Sequence, residues 1–88
     1  MNVKDRYIYP AIFDFDNDGI TVTFPDLPGC ITCGDCQEEA FRNAKEVLEL
    51  YMYGLEQDEE EIPEPSPINL IKTEDTQSIV LIDIWWFP

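Results

Sequence analysis

The sequence predicts a single α+β domain with the element order β-β-β-α-β: an antiparallel hairpin, one amphipathic helix and a C-terminal strand. Three observations predict it. Two segments near the N-terminus alternate between apolar and polar residues around a turn, the middle of the chain repeats apolar residues every three or four positions, and a short apolar run lies near the C-terminus. At 88 residues the chain is near the lower limit for a self-sufficient core, so we expect one domain that forms a dimer or tetramer.

The first two strands form the predicted hairpin. Residues Tyr7 to Phe15 alternate and are rich in aromatic and β-branched side chains. Pro10 has no amide donor, which predicts an edge strand or a bulge at that point. Asp16 to Gly19 consists of ordinary turn residues, and Ile20 to Phe24 alternates strictly as a second strand.

A turn and a helix follow the hairpin. The segment from Pro25 to Gly29 ends the second strand, and Cys30 to Cys33 predicts a short third one. Asp35 or Cys36 opens the helix, and Asp35 is the preferred N-cap, with Glu38 as its capping-box partner. The helix is expected to run for roughly twenty residues, until Gly54 and an acidic run end it. Its predicted buried stripe comprises Ala40, Phe41, Ala44, Val47, Leu48, Tyr51 and Leu55.

The C-terminal third predicts a connector and a last strand. Residues Ile62 to Pro67 have a proline at every second position, which predicts an extended segment. Ser78 to Trp85 has apolar side chains on both faces, which places it in the middle of a sheet or under the helix. The aromatic end, Trp85 to Pro88, is too large for one small sheet to bury, so a partner, a second subunit or a further domain is expected to cover it.

The charge balance limits the classes of partner. Nineteen acidic residues against five basic ones give a net charge of −14. Such a chain repels nucleic-acid phosphate and anionic lipid, so we expect neither direct nucleic-acid binding nor a membrane, and a partner with a basic surface fits better. No apolar leader follows Met1 to Arg6, and the apolar run from Ile79 to Phe87 is too short to span a bilayer. The expected location is the cytoplasm.

Three cysteines form the pattern C-x2-C-x2-C, which resembles part of a zinc or iron–sulfur site. Such sites normally use four ligands, and the chain has no fourth cysteine and no histidine. We expect Cys30 to be a small buried apolar residue, and Cys33 and Cys36 to be reduced thiols. No cofactor and no metal is predicted.

Two groups of acidic residues resemble metal-binding sites. Residues Asp14 to Gly19 match the first half of a calcium loop, but Pro25 occupies the position that needs a bidentate glutamate, so an acidic hairpin turn is preferred. Asp14, Asp16 and Asp83 could hold two metals for phosphodiester hydrolysis, which makes a metal-dependent nuclease the rival function. A stand-alone module that binds some other basic protein remains a third possibility.

Several motifs together resemble a known family, the HicB-like antitoxins of bacterial toxin–antitoxin systems. The resemblance extends from about residue 7 to residue 84. The matching segments are Tyr9-Pro10-Ala11, Phe24-Pro25-Asp26-Leu27-Pro28-Gly29-Cys30, Gly34-Asp35, Glu38-Glu39-Ala40, Asn43-Ala44 and Ile62-Pro63-Glu64-Pro65-Ser66. Cys33 and Cys36 stand where the family more usually has polar residues.

The resemblance implies a degenerate, partial RNase H-like fold and no catalytic residues. It further implies that the chain binds and inhibits a small basic toxin, HicA, an mRNA interferase with a double-stranded-RNA-binding fold. Many family members continue into a C-terminal DNA-binding domain, and we expect this domain to be absent or truncated here.

Candidate site residues divide into two sets. The predicted toxin-contacting residues are Asp14, Asp16, Asp18 and Asp26, whose carboxylates would replace the phosphates that an RNA-binding toxin expects. The residues predicted to hold the family's structural motif are Phe24, Pro25, Asp26, Leu27, Pro28, Gly29, Gly34, Glu39 and Ala40.

Overall fold

The computed structural model describes residues 6–85 and confirms the order β-β-β-α-β. The predicted aromatic end past Trp85 lies outside the described residues. The elements are β1 (Arg6–Asp16), β2 (Gly19–Thr23), β3 (Ile31–Gly34), α1 (Gln37–Gln57), a short 3₁₀ helix (Ile68–Leu70) and β4 (Gln77–Trp85). Among the described residues, no helix is both long enough and apolar enough to cross a membrane.

The four strands form one antiparallel sheet in the order β3-β2-β1-β4. β1 is therefore a central strand over part of its length, and β4 lies at the edge. Of the two placements predicted for this strand, the middle of the sheet is wrong and the position under the helix is confirmed. One face of β4 does pack under α1, because Ile82 and Ile84 are fully buried, whereas Leu81 and Trp85 stay exposed.

Pro10 is accommodated in β1 without a bulge. The register with β4 runs unbroken through Tyr9–Ile82, Pro10–Leu81 and Ala11–Val80. β2 pairs with β1 only from Ile12 onward, so β1 has no strand neighbour on the β2 side at Pro10. The missing amide donor thus costs no ladder hydrogen bond, because β1 is locally an edge there.

The core lies between α1 and one face of the sheet. Four residues of α1 are buried at a spacing of four: Ala40, Ala44, Leu48 and Met52. The residues of the hydrophobic core are Tyr7, Tyr9, Ala11, Phe13, Ile20, Val22, Phe24, Leu27, Cys30, Ala40, Ala44, Leu48, Met52, Ile82 and Ile84. The predicted stripe was right for three of the four helix residues, but it omitted Met52 and included Phe41, which is 41% exposed.

The start of α1 differs from its prediction. The N-cap is Cys36, in an extended conformation and without a side-chain cap, so the predicted cap at Asp35 is wrong. Glu39, not Glu38, completes the turn: its Oε1 accepts a hydrogen bond from the backbone N–H of Asp35 at 2.6 Å. Glu39 is the third residue of the helix, which is the position of the carboxylate in a capping box. In a capping box this carboxylate accepts from the N–H of the N-cap, whereas Glu39 accepts from Asp35, the residue before the N-cap.

The helix also continues past its predicted end. Gly54 lies inside α1, which runs to Gln57 before the Asp58 cap. Glu59 then adopts a positive φ of 54°, and the N–H of Glu60 donates to the carbonyl of Leu55. The extra turn is held from outside the helix, because the hydroxyl of Tyr7 donates to Glu56 Oε2 at 2.6 Å.

Candidate functional site

The segment from Phe24 to Cys30 folds as a tight, internally bonded turn. The N–H of Leu27 donates to the carbonyl of Phe24, and the N–H of Cys30 donates to the carbonyl of Leu27, each at 3.0 Å. Gly29 has a φ of +84°, a conformation that glycine adopts without a steric penalty. Phe24 and Leu27 are buried in the core. The prolines and the glycine thus shape a loop whose two apolar side chains anchor it.

The proline-rich connector is fastened to this turn and to β1. Both carboxylate oxygens of Asp26 accept hydrogen bonds from Ser66, one from its N–H at 2.8 Å and one from its hydroxyl at 2.5 Å. The hydroxyl of Tyr9 donates to the carbonyl of Pro63 at 2.5 Å. Burial and the negative charges of Glu64 and Asp26 raise the pKa of Tyr9 to about 12, so the donor stays protonated at neutral pH.

Gly34 allows the helix to begin close to the sheet. A Cβ at this position would lie 2.4 Å from the backbone nitrogen of Ala40 and 2.7 Å from its Cα. Ala40 is itself fully buried. The pair therefore brings the first turn of α1 into contact with β3, and the side chain of Asn43 reinforces the contact by donating to the carbonyl of Cys33.

The hairpin between β1 and β2 carries three of the four predicted toxin-contacting residues. The carboxylate of Asp14 accepts hydrogen bonds from the side chains of Thr76 and Gln77, each at 3.0 Å. Asp16 Oδ1 accepts from the N–H of Asp18 at 2.7 Å, as in an ordinary Asx turn. Asp16 and Asp18 are exposed, and Asp14 is half-buried. The hairpin therefore presents three carboxylates close together, two of them held in place.

Asp26, the fourth predicted residue, is not part of this group. It follows the other end of β2 and is engaged by Ser66. Its carboxylate holds the connector in place, which agrees with its prediction as a residue of the structural motif; its partner, Ser66, was not predicted.

A second acidic surface lies on the outer face of α1 and was not predicted. Leu50 is 73% exposed and Tyr53 is 54% exposed, and the exposed carboxylates Glu46 and Glu49 lie within one helical turn of them. The sequence signal was present, since Leu50 and Tyr53 fall off the buried stripe and yet are large and apolar. Such residues on an exposed helix face are typical of a contact surface.

The cysteines do not form a site. Cys30 is buried, and burial raises the pKa of its thiol to about 11, which keeps it protonated and unreactive. Cys33 and Cys36 are exposed free thiols. Within residues 6–85 no group of three or more cysteine, aspartate or glutamate side chains is placed to hold a metal ion.

Asp83 does not lie near Asp14 and Asp16, the other two carboxylates of the rival nuclease hypothesis. Asp14 pairs with Gln77, whereas Asp83 pairs with Ile8, six residues farther along β1, which is about 20 Å. Asp83 is also bonded elsewhere: Arg6 lies 2.9 Å from its Oδ2 and Lys45 lies 3.9 Å from its Oδ1. The hydrogen bond from Arg6, with the charges of both cations, lowers the pKa of Asp83.

Comparison with known proteins identifies related sequences over most of the chain. The family described as "HicB_like antitoxin of bacterial toxin-antitoxin system" matches residues 9–84. A 14.9 kDa protein from the rep-hol intergenic region of Haemophilus phage HP1 is 43% identical over 61 residues, 69% of this chain and 46% of that protein. "Antitoxin HicB 2" of Photorhabdus laumondii is 41% identical over 58 residues, 66% of this chain and 42% of that protein.

The fold is also similar to solved structures. A chain in a toxin–antitoxin complex from Streptococcus pneumoniae superposes with a TM-score of 0.79 at 25% identity, over 89% of this chain and 68% of that chain. This chain spans a little under half the length of the two curated relatives, so only the part of them that corresponds to this domain is compared.

Proposed function

Because the chain belongs to the HicB-like antitoxin family, we propose that it binds a small basic toxin of the HicA type and neutralises it by covering the surface with which the toxin binds and cleaves mRNA. The observation that carries the proposal is the family match over residues 9–84, a range that includes the turn, the helix and the proline-rich connector. In this proposal the chain is not itself an enzyme; it acts by presenting a rigid acidic surface.

The charges of the chain support inhibition by surface contact. A net charge of −14 attracts a basic partner over long range and raises the rate of encounter. The carboxylates of Asp14, Asp16 and Asp18 are presented by one hairpin, where they can occupy positions that RNA phosphates would take on the toxin. Exposed ion pairs contribute little affinity on their own, so apolar contacts have to supply most of the affinity for the toxin. Leu50 and Tyr53, which are exposed on α1, would make these contacts.

We further propose that the chain acts in the cytoplasm, where an mRNA interferase has its substrate, and that this domain makes no direct contact with DNA or RNA. Its charge supports the second point, because each phosphate would be repelled by most of the surface.

The experiment is to co-express the chain with the small basic protein encoded by the adjacent gene, purify the complex and measure ribonuclease activity. We expect the two proteins to co-purify and the ribonuclease activity to be lost on mixing. A partner that neither binds nor loses activity would refute the antitoxin proposal.

A matched pair of variants tests the hairpin surface. Asp14→Asn, Asp16→Asn and Asp18→Asn together remove three charges. Each asparagine keeps one acceptor oxygen, which retains the Asp16 turn bond and one of the two hydrogen bonds at position 14. Glu59→Gln, Glu60→Gln and Glu61→Gln together remove three charges from an exposed run after α1. We expect the hairpin variant to weaken toxin binding at least tenfold more than the control. Equal effects would show that net charge matters and the hairpin does not.

A further inference from the structure

Phe41 is a large aromatic side chain of α1 that the fold leaves partly exposed. It is 41% exposed, although its position in the sequence matches the predicted buried stripe. Its ring lines a groove of about 610 Å³ between the first turns of α1 and the sheet, a size common among clefts that bind ligands. We call this cleft the Phe41 groove; its lining residues are Phe13, Phe15, Gln37, Glu38, Phe41, Ser78 and Val80.

The lining combines aromatic rings with an unpaired carboxylate. Three of the seven lining residues are phenylalanines, and two of these, the buried Phe13 and the half-buried Phe15, are held by the sheet. On the helix side, the exposed carboxylate of Glu38 makes no hydrogen bond or ion pair with any residue in the range 6–85. The face of an aromatic ring carries a partial negative charge, so rings and carboxylate together favour a cation.

Phe41 already makes one such contact within the chain. The Nζ atom of Lys45 lies 5.7 Å from the centroid of the Phe41 ring, a distance at which the ring attracts the ammonium group. The same Nζ lies 3.9 Å from Oδ1 of Asp83, so this cation is held by an aromatic ring and a carboxylate together. The Phe41 groove offers the same two kinds of group to a cation from outside, with Glu38 as the carboxylate.

Further carboxylates come next to the lining residues in the sequence. Phe15 lies between Asp14 and Asp16 in β1, and the exposed Glu74 and Asp75 shortly precede β4, which supplies the other wall. These charges draw a positively charged group toward the groove. Since Asp14 and Asp16 also belong to the acidic hairpin, the groove adjoins the surface that is proposed to contact the toxin.

A guanidinium group suits this lining better than an ammonium group. It is flat, so it can stack on a phenylalanine ring and at the same time donate N–H bonds from its edge to a carboxylate. An ammonium group is more strongly hydrated and loses more on entering an apolar cleft. The methylene groups of an arginine would lie against apolar side chains such as Val80. The groove therefore matches the chemistry of an arginine side chain.

We propose that the Phe41 groove is an anchor site for one arginine side chain on the surface of the basic protein partner, with Phe15 and Phe41 beside the guanidinium and Glu38 as its counter-charge. The identity of this partner as the toxin rests on the proposed function, whereas the preference of the groove for arginine does not. A side chain enclosed in a groove loses more of its water than one at an exposed hairpin, so this contact should contribute more to affinity and to the choice of partner.

The first test is the affinity of the full chain for the small basic protein encoded by the adjacent gene, measured by calorimetry at constant salt. We expect Phe41→Ala and Glu38→Gln each to weaken binding about tenfold. Two controls outside the groove match them: Leu70→Ala removes an exposed apolar side chain, and Glu61→Gln removes one exposed charge. Each control should change the affinity by less than about threefold, and circular dichroism checks that all variants are folded.

The results distinguish the groove proposal from the proposed function. If the partner binds the wild-type chain and the folded groove variants bind it as tightly as the controls do, the groove proposal is wrong and the antitoxin proposal stands. Replacing each arginine of the partner by alanine in turn should identify one whose loss costs about tenfold against the wild-type chain and clearly less against Glu38→Gln. If no arginine behaves in this way, the groove does not hold an arginine of this partner.

A second test needs no toxin and decides on the groove even if the basic protein does not bind. Nuclear magnetic resonance follows the backbone amides of the full chain while N-acetyl-arginine amide is added. We expect saturable shifts at Gln37, Phe41, Ser78 and Val80, with a dissociation constant of about 1 mM or more, and their loss in Phe41→Ala.

Two related probes identify what the groove recognises. N-acetyl-citrulline amide has nearly the same shape without the charge, and N-acetyl-lysine amide has the charge without the flat end group. We expect both to shift the same amides clearly less than the arginine compound does. Equal shifts with either compound, or shifts spread evenly over the acidic surface, would refute a site for arginine.

Discussion

The carboxylate of Asp26 holds Ser66, a residue forty positions later in the chain, through both of its oxygens. This contact joins the proline-glycine turn to the proline-rich connector, the two segments that carry much of the family's sequence pattern. Neither segment contains regular secondary structure that could hold it, so side-chain hydrogen bonds do so instead. Asp26 was predicted to contact a toxin, and the structure adds an internal partner that any test of that role has to take into account.

We expect Asp26→Ala to lower the free energy of unfolding by about 1–3 kcal/mol, because it leaves the N–H and the hydroxyl of Ser66 without a charged acceptor. Chemical denaturation followed by circular dichroism measures the change. Combining Asp26→Ala with Ser66→Ala gives a double-mutant cycle, in which the joint cost should fall short of the sum by at least about 0.5 kcal/mol. Strict additivity would mean that the two side chains stabilise the fold independently.

Two glycines should respond in opposite directions to the same substitution. Gly34→Ala places a Cβ 2.4 Å from the backbone nitrogen of Ala40, and neither backbone can move without shifting α1. We expect a loss of about 3 kcal/mol or more, as in other severe overpacking of a core. Gly54→Ala adds a methyl group to open space inside α1 and should stabilise the protein by about 0.5–1 kcal/mol. Thermal unfolding of both variants tests this; a stable Gly34→Ala protein would contradict the close approach.

Two neighbouring apolar residues of α1 should differ sharply in their contribution. Met52 is fully buried, and we expect Met52→Ala to cost about 2–5 kcal/mol of unfolding free energy through lost burial and a residual cavity. Leu50 is 73% exposed, so Leu50→Ala should change stability by less than about 0.5 kcal/mol. Denaturant midpoints compare the two. Similar costs at both positions would mean that the outer face of α1 is covered in solution.

The fold should lose stability in alkali. Burial raises the pKa of Tyr9 from its ordinary 10.0 to about 12, and that of Cys30 from 9.0 to about 11. Below pH 9 both groups are protonated in the folded and the unfolded chain. As the pH rises through these ranges, only the unfolded chain releases the protons, which favours unfolding. We expect the unfolding free energy to fall between pH 9 and pH 12.

Variants separate the two contributions. Cys30→Ala should remove the part of the fall between pH 9 and pH 11. Tyr9→Phe should remove only its own share of the fall between pH 10 and pH 12, because burial and Glu56 also raise the pKa of Tyr7, which loses its proton over the same range in the unfolded chain. The Tyr9→Phe variant also loses the hydrogen bond to Pro63 and is less stable at neutral pH. Urea titrations at a series of pH values measure both. An unchanged alkaline slope in Tyr9→Phe would show that other groups cause the loss.

Local patterns were sufficient to predict the elements but less reliable at their ends. The alternation in β1 and β2 and the three-to-four spacing in α1 predicted the right element types in the right order. The helix start was predicted one residue early. Asp35 and Glu38 have the residue types and the spacing of a capping box, but in the structure Cys36 is the N-cap and Glu39 is the carboxylate that accepts a hydrogen bond. The helix end was predicted too early because Tyr7, from the other end of the chain, holds Glu56 in the last turn.

In the candidate site, too, some features follow from the sequence and others only from the tertiary structure. The sequence alone determined the acidity, the hairpin that carries Asp14, Asp16 and Asp18, and the turn chemistry of the proline-glycine segment, since these depend on residue type and near neighbours. Only the tertiary structure decided that Asp26 holds the connector, that β4 is an open edge and that Leu50 stays exposed. Strand order and the pairing of distant side chains depend on which surfaces bury each other, and that follows from the packing of the whole chain.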